Sequence, residues 1–369
     1  MTDENKIEII AFYLPQYHPT PHNDEWWGKG FTEWTNVAKA KPLFHGHYQP
    51  KIPADLGFYD LRLPSVREEQ AALAKEAGVT GFCYYHYWFG GGHQELELPF
   101  NEIIKCKKPD FPFCLCWANE SWYRKFWNKD GNVAGKEDLA IQQYLGDDDD
   151  KAHFYAMLSA FKDNRYIKVD GKPLFMIYKP LQFESVNRFM HCWNNLAKAN
   201  GLEGFFFIGY TLNVETEYTQ LKDLGFDAVC SCRLGPGKQS AFSKYYKKIL
   251  SVLFNWPRIY SYKTIYPQLI SDYEKDHNDV FPTMIPNWDH TPRSKEYGYL
   301  YKGATPEMFY NHALDVLSRI HGKPKPYCIS FIKSWNEWGE GNYMEPDLKY
   351  GKGFINALKR AITKVYVNE

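Results

Sequence analysis

The chain of 369 residues has no surplus of either charge: 44 Lys plus Arg stand against 44 Asp plus Glu. General nucleic-acid binding needs a basic excess, so nucleic acid is not an expected partner. No apolar run is long enough to span a bilayer. The opening Met1-Thr-Asp-Glu-Asn-Lys6 is acidic and polar and shows no leader pattern, so a cytoplasmic setting is the expectation. Eight cysteines, at 83, 106, 114, 116, 192, 230, 232 and 328, include no Cys-x-x-Cys pair. Cys114/Cys116 and Cys230/Cys232 lie two apart in apolar runs, which suits small buried hydrophobes better than a disulfide framework or a zinc site. There is no G-x-G-x-x-G or Walker pattern, so Gly90-Gly91-Gly92 is a weak phosphate signal. The pairs His18/His22 and His45/His47 lack a strong zinc signature. No metal and no other cofactor is expected.

What the chain has in quantity is rings: 28 Tyr, 25 Phe and 12 Trp, 18% of all residues. Most will fill a core, but Trp and Tyr also present flat apolar faces with a polar handle, which suit the C–H faces and polar edges of sugars. Short apolar runs alternate with amphipathic stretches. Candidate strands are Ile7–Leu14, Val79–Tyr85, Phe113–Trp117, Leu174–Tyr178, Phe205–Tyr210, Ala228–Ser231, Thr283–Pro286 and Cys328–Lys333. Candidate helices are Ser65–Ala77, Lys151–Asn164, Glu184–Asn200, Tyr218–Leu224, Pro306–His321 and Phe354–Val365. Ser65 can cap its helix, and Gly78 and Gly201 stand where C-cap glycines belong. Strands that are apolar throughout are covered on both faces, and repeated β-α units imply a parallel sheet. Eight strands favour closure, so the expected fold is α/β: a single (β/α)₈ TIM barrel, residues 1–369 as one domain. The stretch from Pro15 to Pro64, with Trp26, Trp27, Glu33 and Trp34, reads as a long insertion over the barrel mouth.

In such barrels chemistry sits on the loops after the strand C-termini. Those segments carry polar groups beside aromatics: Pro15–His18, His86–Gly90, Trp117–Glu120, Tyr210-Thr211, Pro286–His290 and Trp335–Trp338. Tyr13, Tyr17, His18, Glu33, Trp34, His86, Tyr87, Trp88, Trp117, Asn119, Glu120, Asn287, Trp288, Asp289, Trp335, Asn336 and Trp338 are therefore candidate sugar-binding residues, each with a core or loop-stabilising role as its alternative. Glu337 and Glu340 are the candidate catalytic carboxylates. On a turn, residues three apart share a side with Cβ atoms ~5–6 Å apart, close to the ~5–5.5 Å carboxyl spacing of retaining glycosidases. E-x-x-E pairs are common on solvated helices; the placement at the last strand's end is what raises this one. Glu120, Glu33, Asp289 and Glu345 compete with them. Asp147–Asp150 contains D-x-D, a metal pattern of some nucleotide-sugar transferases, but a solvated loop with a helix N-cap, ahead of the next helix, explains it better. Lys244–Tyr260 is basic and aromatic with an apolar middle. Such a stretch can make peripheral membrane contact at the inner face, which would suit a lipid-linked sugar substrate, but the favoured reading is an ordinary helix packed on the barrel.

Six stretches together resemble the WbsX-like family of bacterial polysaccharide-biosynthesis proteins, which is related to glycoside hydrolase family 99. They are Ala11-Phe-Tyr-Leu-Pro-Gln-Tyr-His18, Glu25-Trp-Trp-Gly-Lys-Gly-Phe-Thr-Glu-Trp-Thr-Asn36, Gly81-Phe-Cys-Tyr-Tyr-His-Tyr-Trp-Phe89, Phe113-Cys-Leu-Cys-Trp-Ala-Asn-Glu120, Pro286-Asn-Trp-Asp289 and Trp335-Asn-Glu-Trp-Gly-Glu-Gly341. The resemblance implies a (β/α)₈ barrel, an oligosaccharide or polysaccharide substrate, and a role in surface-polysaccharide (O-antigen or capsule) metabolism. The hydrolase relatives are retaining endo-α-mannosidases with two Glu at this spacing. By that resemblance Glu340 is the general acid/base, and Glu337 is the base that activates the sugar 2-hydroxyl toward an anhydro-sugar intermediate. WbsX-like members are commonly described as glycosyltransferases, so hydrolysis and transfer both stay open. A nucleotide-sugar-dependent transferase and a non-catalytic glycan-binding barrel are the alternatives.

Overall fold

The computed structural model describes residues 7–127, 133–237 and 256–367. Eight parallel strands close on themselves: β1 (Glu8–Tyr13), β2 (Gly81–Trp88), β3 (Phe113–Trp117), β4 (Lys172–Ile177), β5 (Phe206–Thr211), β6 (Ala228–Ser231), β7 (Val280–Met284) and β8 (Ile329–Ile332). Each pairs with its sequence neighbour, and β1 pairs with both β2 and β8, which seals the ring. This is the expected (β/α)₈ barrel. Helices Pro64–Ala77, Asp147–Phe161, Val186–Ala199, Val214–Asp223, Pro306–Ile320 and Gly353–Val367 cover its outside. A further helix, Leu98–Cys106, follows β2 and was not anticipated; it is only nine residues long and buries just Pro99, Phe100 and Ile103.

Residues that are inward or outward on these strands cannot be told apart by hydrophobicity, because nearly every strand position is buried. Contacts settle the matter. Phe12 reaches Tyr210 on β5 across the barrel, as well as Tyr85 and Phe331, so these four rings point inward. Their neighbours alternate outward. Tyr13 donates to Gln70 of helix Pro64–Ala77, and His86 meets His153 of helix Asp147–Phe161.

Local chemistry fixes the element ends, with two departures from expectation. Ser65 does not cap its helix: Pro64 takes the first helical position, where its missing N–H costs nothing, and Leu63 is the cap residue. Asp147–Asp150 is not a loop ahead of its helix but the helix's first turn after Gly146, so its acids complement the positive helix end. Gly78 closes helix Pro64–Ala77 in the left-handed conformation, φ 88°. All eight cysteines are free, six of them buried. In the mouth-side insertion, Thr20 accepts from the Asn23 N–H and Pro21 starts a short helix, Pro21–Trp27; a second helix, Glu33–Lys39, follows. Among the described residues, no helix is long and apolar enough to cross a membrane. Residues 244–255 of the basic aromatic stretch lie outside the described residues.

Candidate active site

Beyond β8 the chain does not enter a helix at once. Asn336-Glu337 pairs antiparallel with Asn342-Tyr343, and Trp338–Glu340 forms the tight turn between them. This hairpin carries both candidate carboxylates, Glu337 at the end of its first strand and Glu340 in the turn. Tyr17 brackets Glu337: its hydroxyl donates to the Asn336 carbonyl (2.6 Å) and accepts from the Trp338 N–H (3.0 Å). Asn336 ties the turn to β1 through both its amide atoms, each bonded to the Leu14 backbone. The Glu340 carbonyl accepts from the Asp289 N–H at 2.7 Å. Two glycines are required. A Cβ on Gly339 would sit 1.8 Å from Glu33 Oε1, and Gly341 has φ +55° with Lys51 Nζ 2.6 Å from where its Cβ would be.

The side chains converge on one cation. Arg293, in the short Thr291–Ser294 helix beyond β7, donates from a single nitrogen to Glu337 Oε1 (3.1 Å) and to Glu340 Oε1 (2.6 Å). The two acceptor oxygens are therefore no more than about 6 Å apart, a spacing that admits the retaining geometry of ~5–5.5 Å. The Arg293 Nε donates to Glu33 Oε1 at 2.9 Å, so three carboxylates share one guanidinium. Burial would lower the Arg293 pKa, but Glu33, Glu340 and Glu337 outweigh it and hold the group charged. Burial pushes the Glu337 pKa up to about 6; the nearby Glu340 charge adds to this, and Arg293 and Lys333 oppose it. His290, whose Nε2 is 3.6 Å from Glu340 Oε1, is pulled down to about 4 by burial and by Arg293.

Under the turn, Lys333 occupies the barrel axis. Its ammonium lies 5.5–5.9 Å from the ring centroids of Phe12, Tyr85, Tyr178 and Tyr210, and it donates to the Tyr85 hydroxyl at 3.2 Å.

The sequence candidates separate into groups. Tyr87 faces the mouth, where its hydroxyl feels the charges of Glu337, Arg293 and Glu120. Glu120 is nearby, half exposed and 3.7 Å from Lys179. Glu33 joins the Arg293 cluster. Asn287 and Trp288 line a cleft of about 290 Å³ with Phe44, His47, Tyr301 and Tyr343, a lining that does not include Glu337 or Glu340. Asp289 is held by His47 Nε2, Gln49 Nε2 and Thr291. Burial alone would raise its pKa, yet His47 and Lys51 keep it below the usual carboxylate range. It is a clamp between the insertion and β7.

The rest do not line the mouth. Tyr13, His86, Trp88 and Trp117 are on the outward phase of their strands, and Trp335, past the end of β8, packs outside the barrel axis as well. Trp88 stacks on His153 at 4.6 Å, Trp117 packs on Phe189, and Trp335 packs on Phe82. His86 is buried, which lowers its pKa to about 3. Asn119 knits the loops after β3 and β4, bonding Lys179 N and O and the Tyr144 hydroxyl. Trp34 donates to the Tyr59 carbonyl, and Trp338 stacks on Tyr343 (3.8 Å) and donates to Glu345. Glu345 is buried behind that ring, also bonded by Gln70 and Tyr59, and burial pushes its pKa to about 7. His18 is fully buried, and burial lowers its pKa. Tyr17, Trp34, Asn336 and Trp338 thus hold the turn in place from behind. Sequence reading missed Arg293, His290, Lys333, Tyr85 and Tyr178. Arg293 stands four residues past Asp289 in a loop already under scrutiny, so its position was the available signal.

The model of the family "Glycosyltransferase WbsX" matches residues 9–358. The "Uncharacterized protein WxcX" of Xanthomonas campestris pv. campestris is 36% identical over 363 residues, 96% of this chain and 50% of that protein. A second strain's WxcX matches equally well. The chain thus spans about half the length of the curated relatives it matches. Among solved structures, two of the GH99 endo-alpha-mannosidase from Bacteroides thetaiotaomicron superpose with TM-scores of 0.58 and 0.54 at 14% and 16% identity. The first alignment covers 98% of this chain and 99% of that one. A "Glycoside hydrolase-like protein" gives 0.59 at 13% identity, over 98% of this chain and 95% of its own. At these identities the likeness is one of fold.

Proposed function

The chain belongs to the glycosyltransferase WbsX family, and from that premise we propose that it makes or breaks a glycosidic bond with Glu337 and Glu340 as a catalytic pair. The observation that carries this reading is the convergence of both carboxylates on one nitrogen of Arg293 at the open end of β8. Arg293 offsets the repulsion that would otherwise part the two acids, and so fixes their separation. The substrate is an oligosaccharide or polysaccharide, resting with its apolar faces against Tyr87 and Trp288. Residues 1–369 act as one catalytic barrel.

Roles follow from environment. Glu337, with its pKa near 6, is ionised at neutral pH yet basic enough to take a hydroxyl proton efficiently. It removes the proton from the sugar 2-hydroxyl; that oxygen closes on C1 as the C1–O bond to the leaving group breaks. Glu340 delivers its proton to the departing oxygen. In the second half, an acceptor hydroxyl attacks C1 while Glu340 takes its proton. The C1–O2 bond opens, and Glu337 returns the proton to O2. Water as acceptor gives hydrolysis; a sugar hydroxyl gives transfer. This departs from the glycosyl-enzyme route of most retaining enzymes, and it follows the resemblance to family 99.

The test replaces Glu337 and Glu340 singly with Gln and assays sugar release and transfer from bacterial surface oligosaccharides. Turnover should fall by about 10²–10⁴-fold in each. Activity that survives both changes eliminates the carboxylate pair. Thermal shifts with nucleoside diphosphates test the nucleotide-sugar alternative, which requires clear stabilisation.

A further inference from the structure

Away from the carboxylate turn, a second set of ligand-type side chains comes together where the insertion meets the end of β2. His22 Nδ1 lies 2.5 Å from Glu95 Oε1, and His93 Nε2 lies 2.8 Å from the same oxygen. The three ligand atoms are all within 4.8 Å of one another. His22 and Glu95 are 73 residues apart in sequence, so this is a tertiary convergence and not a helix-face coincidence.

Each member is placed by its own device. His22 is on helix Pro21–Trp27, its ring stacked on Trp26 at 5.4 Å. Glu95 pairs with Tyr87 in the antiparallel extension of β2. His93 closes the turn Gly90-Gly91-Gly92, whose φ angles of 98°, 62° and 81° only glycine adopts freely. Its N–H bonds the Gly90 carbonyl and its own carbonyl accepts from Phe89. The Gly91 N–H is already taken by the Asp149 carboxylate, so this turn positions His93 and does not cradle phosphate.

The electrostatics favour a cation. Glu95 is only 4% exposed, and among the described residues no lysine or arginine pairs with it; its ion-pair partners are the two imidazoles. A buried carboxylate without a fixed positive charge is costly, and a bound dication removes that cost. His22 and His93 are 50% and 40% exposed, which leaves an entry path and a coordination position for water.

We propose that His22, His93 and Glu95 bind a zinc-class divalent cation. Two imidazole nitrogens and one carboxylate oxygen are a three-ligand zinc set. A tetrahedral shell with bonds of ~2.0–2.2 Å needs ligand atoms ~3.3 Å apart, so the two His–Glu95 contacts of 2.5 and 2.8 Å have to open by under ~1 Å, while the two imidazole nitrogens already lie within 4.8 Å of each other. The ion is a structural tie that pins the insertion to β2. It is separated from Glu337 by the Trp26, Trp122 and Tyr87 rings, which touch in series at 6.0 and 5.0 Å. The proposal is independent of the carboxylate-pair mechanism.

The experiment uses the full chain, stripped with EDTA and titrated with ZnCl₂ by calorimetry, with melting temperature followed in parallel. A Cys106→Ser background removes the exposed thiol. The expected result is one saturable site and a raised melting temperature. His22→Phe keeps the stack on Trp26 but removes a ligand. It should weaken binding by more than the ~10–100-fold that loss of an outer-sphere partner costs; Glu95→Gln should do the same. Co(II) in the site should show d–d absorption without a sulfur charge-transfer band. Absence of saturable binding, undiminished binding in the His22→Phe variant, or a sulfur band would each overturn the proposal.

Discussion

The buried charge on Glu337 makes a prediction about stability that is separable from activity. Its pKa in the folded chain is about 6 against a usual 4.5, so the folded state holds this proton more tightly than the unfolded chain does. The protonated form therefore favours folding, and that advantage is lost as pH rises through about 6. Above that range, a gap of about 1.5 pH units at 1.36 kcal/mol each amounts to ~2 kcal/mol against the native state. Glu337→Gln mimics the neutral acid and still accepts from Arg293. At pH 7.5 the variant should be more stable than the parent by up to ~2 kcal/mol. With an unfolding entropy of ~2.1 cal/mol/K per residue over 369 residues, this corresponds to ~2–3 °C in melting temperature. At pH 5 the gap should shrink toward zero. Glu345 titrates in the same region, but it is present in both proteins and cancels in the difference. The assay is a series of thermal melts of both proteins from pH 5 to pH 8. A difference that stays flat across that range, or a variant less stable than its parent at pH 7.5, would refute the reasoning.

Three further outcomes follow from the same cluster. The proposed base must be ionised, so kcat/KM should fall about tenfold per pH unit below pH ~6, and a pH–rate profile with no acidic limb there argues against Glu337 as the base. Arg293→Met leaves Glu33 and Glu337 buried without their cation and should cost ~3–5 kcal/mol at pH 8. Because protonation relieves the stranded acids, the loss should be smaller at pH 5, which paired denaturant titrations will show. Gly339→Ala places a methyl group where Glu33 now lies. Glu33 and Arg293 must shift, so kcat should drop by about a hundredfold while far-ultraviolet circular dichroism stays unchanged.

The barrel was legible because its evidence is distributed: eight apolar runs, each followed by a strand-end loop, survive errors of two or three residues at any boundary. The candidate carboxylate pair stood out because it stands in the last such loop. The lining of the mouth was not legible, and the reason is the pleat. On a half-exposed strand, alternation of polar and apolar residues marks the inner face. Here β2 reads Gly-Phe-Cys-Tyr-Tyr-His-Tyr-Trp and is buried at every position. Nothing in that string says that Tyr85 and Tyr87 point to the axis while His86 and Trp88 point to a helix. Choosing polar aromatics near strand ends therefore selected Tyr13, His86, Trp88 and Trp117 from the wrong phase and passed over Tyr85, Tyr178 and Tyr210. The nearby lysine would have helped. Lys333 ends a mostly apolar run, and a lysine there is tolerable only where rings or acids can receive its charge, so it marks the inward phase of β8.

A cation between the two proposed catalytic acids could be read as an argument against the pair, since an acid locked in an ion pair is a poor proton carrier. The geometry answers this. Arg293 is not a dedicated partner of either glutamate: its Nε is committed to Glu33, and one remaining nitrogen serves both Glu337 and Glu340. Each acid thus keeps a second oxygen for other hydrogen bonds. The net charge of Arg293 with three carboxylates is still negative; burial first, and the Glu340 charge after it, hold Glu337 above its usual range despite the contact. A site of excess negative charge suits the positive charge that develops at C1 as a glycosidic bond breaks. The guanidinium then has a definable job: it lets two acids sit within one sugar's reach without neutralising the field that the sugar needs. Removing Glu33 alone tests that division. With Glu33→Gln, Arg293 should bind the remaining pair more tightly, lower the Glu337 pKa, and move the acidic limb of the pH–rate profile downward. An acidic limb that stays at pH ~6 would show that Glu33 has no share in setting the charge of the pair.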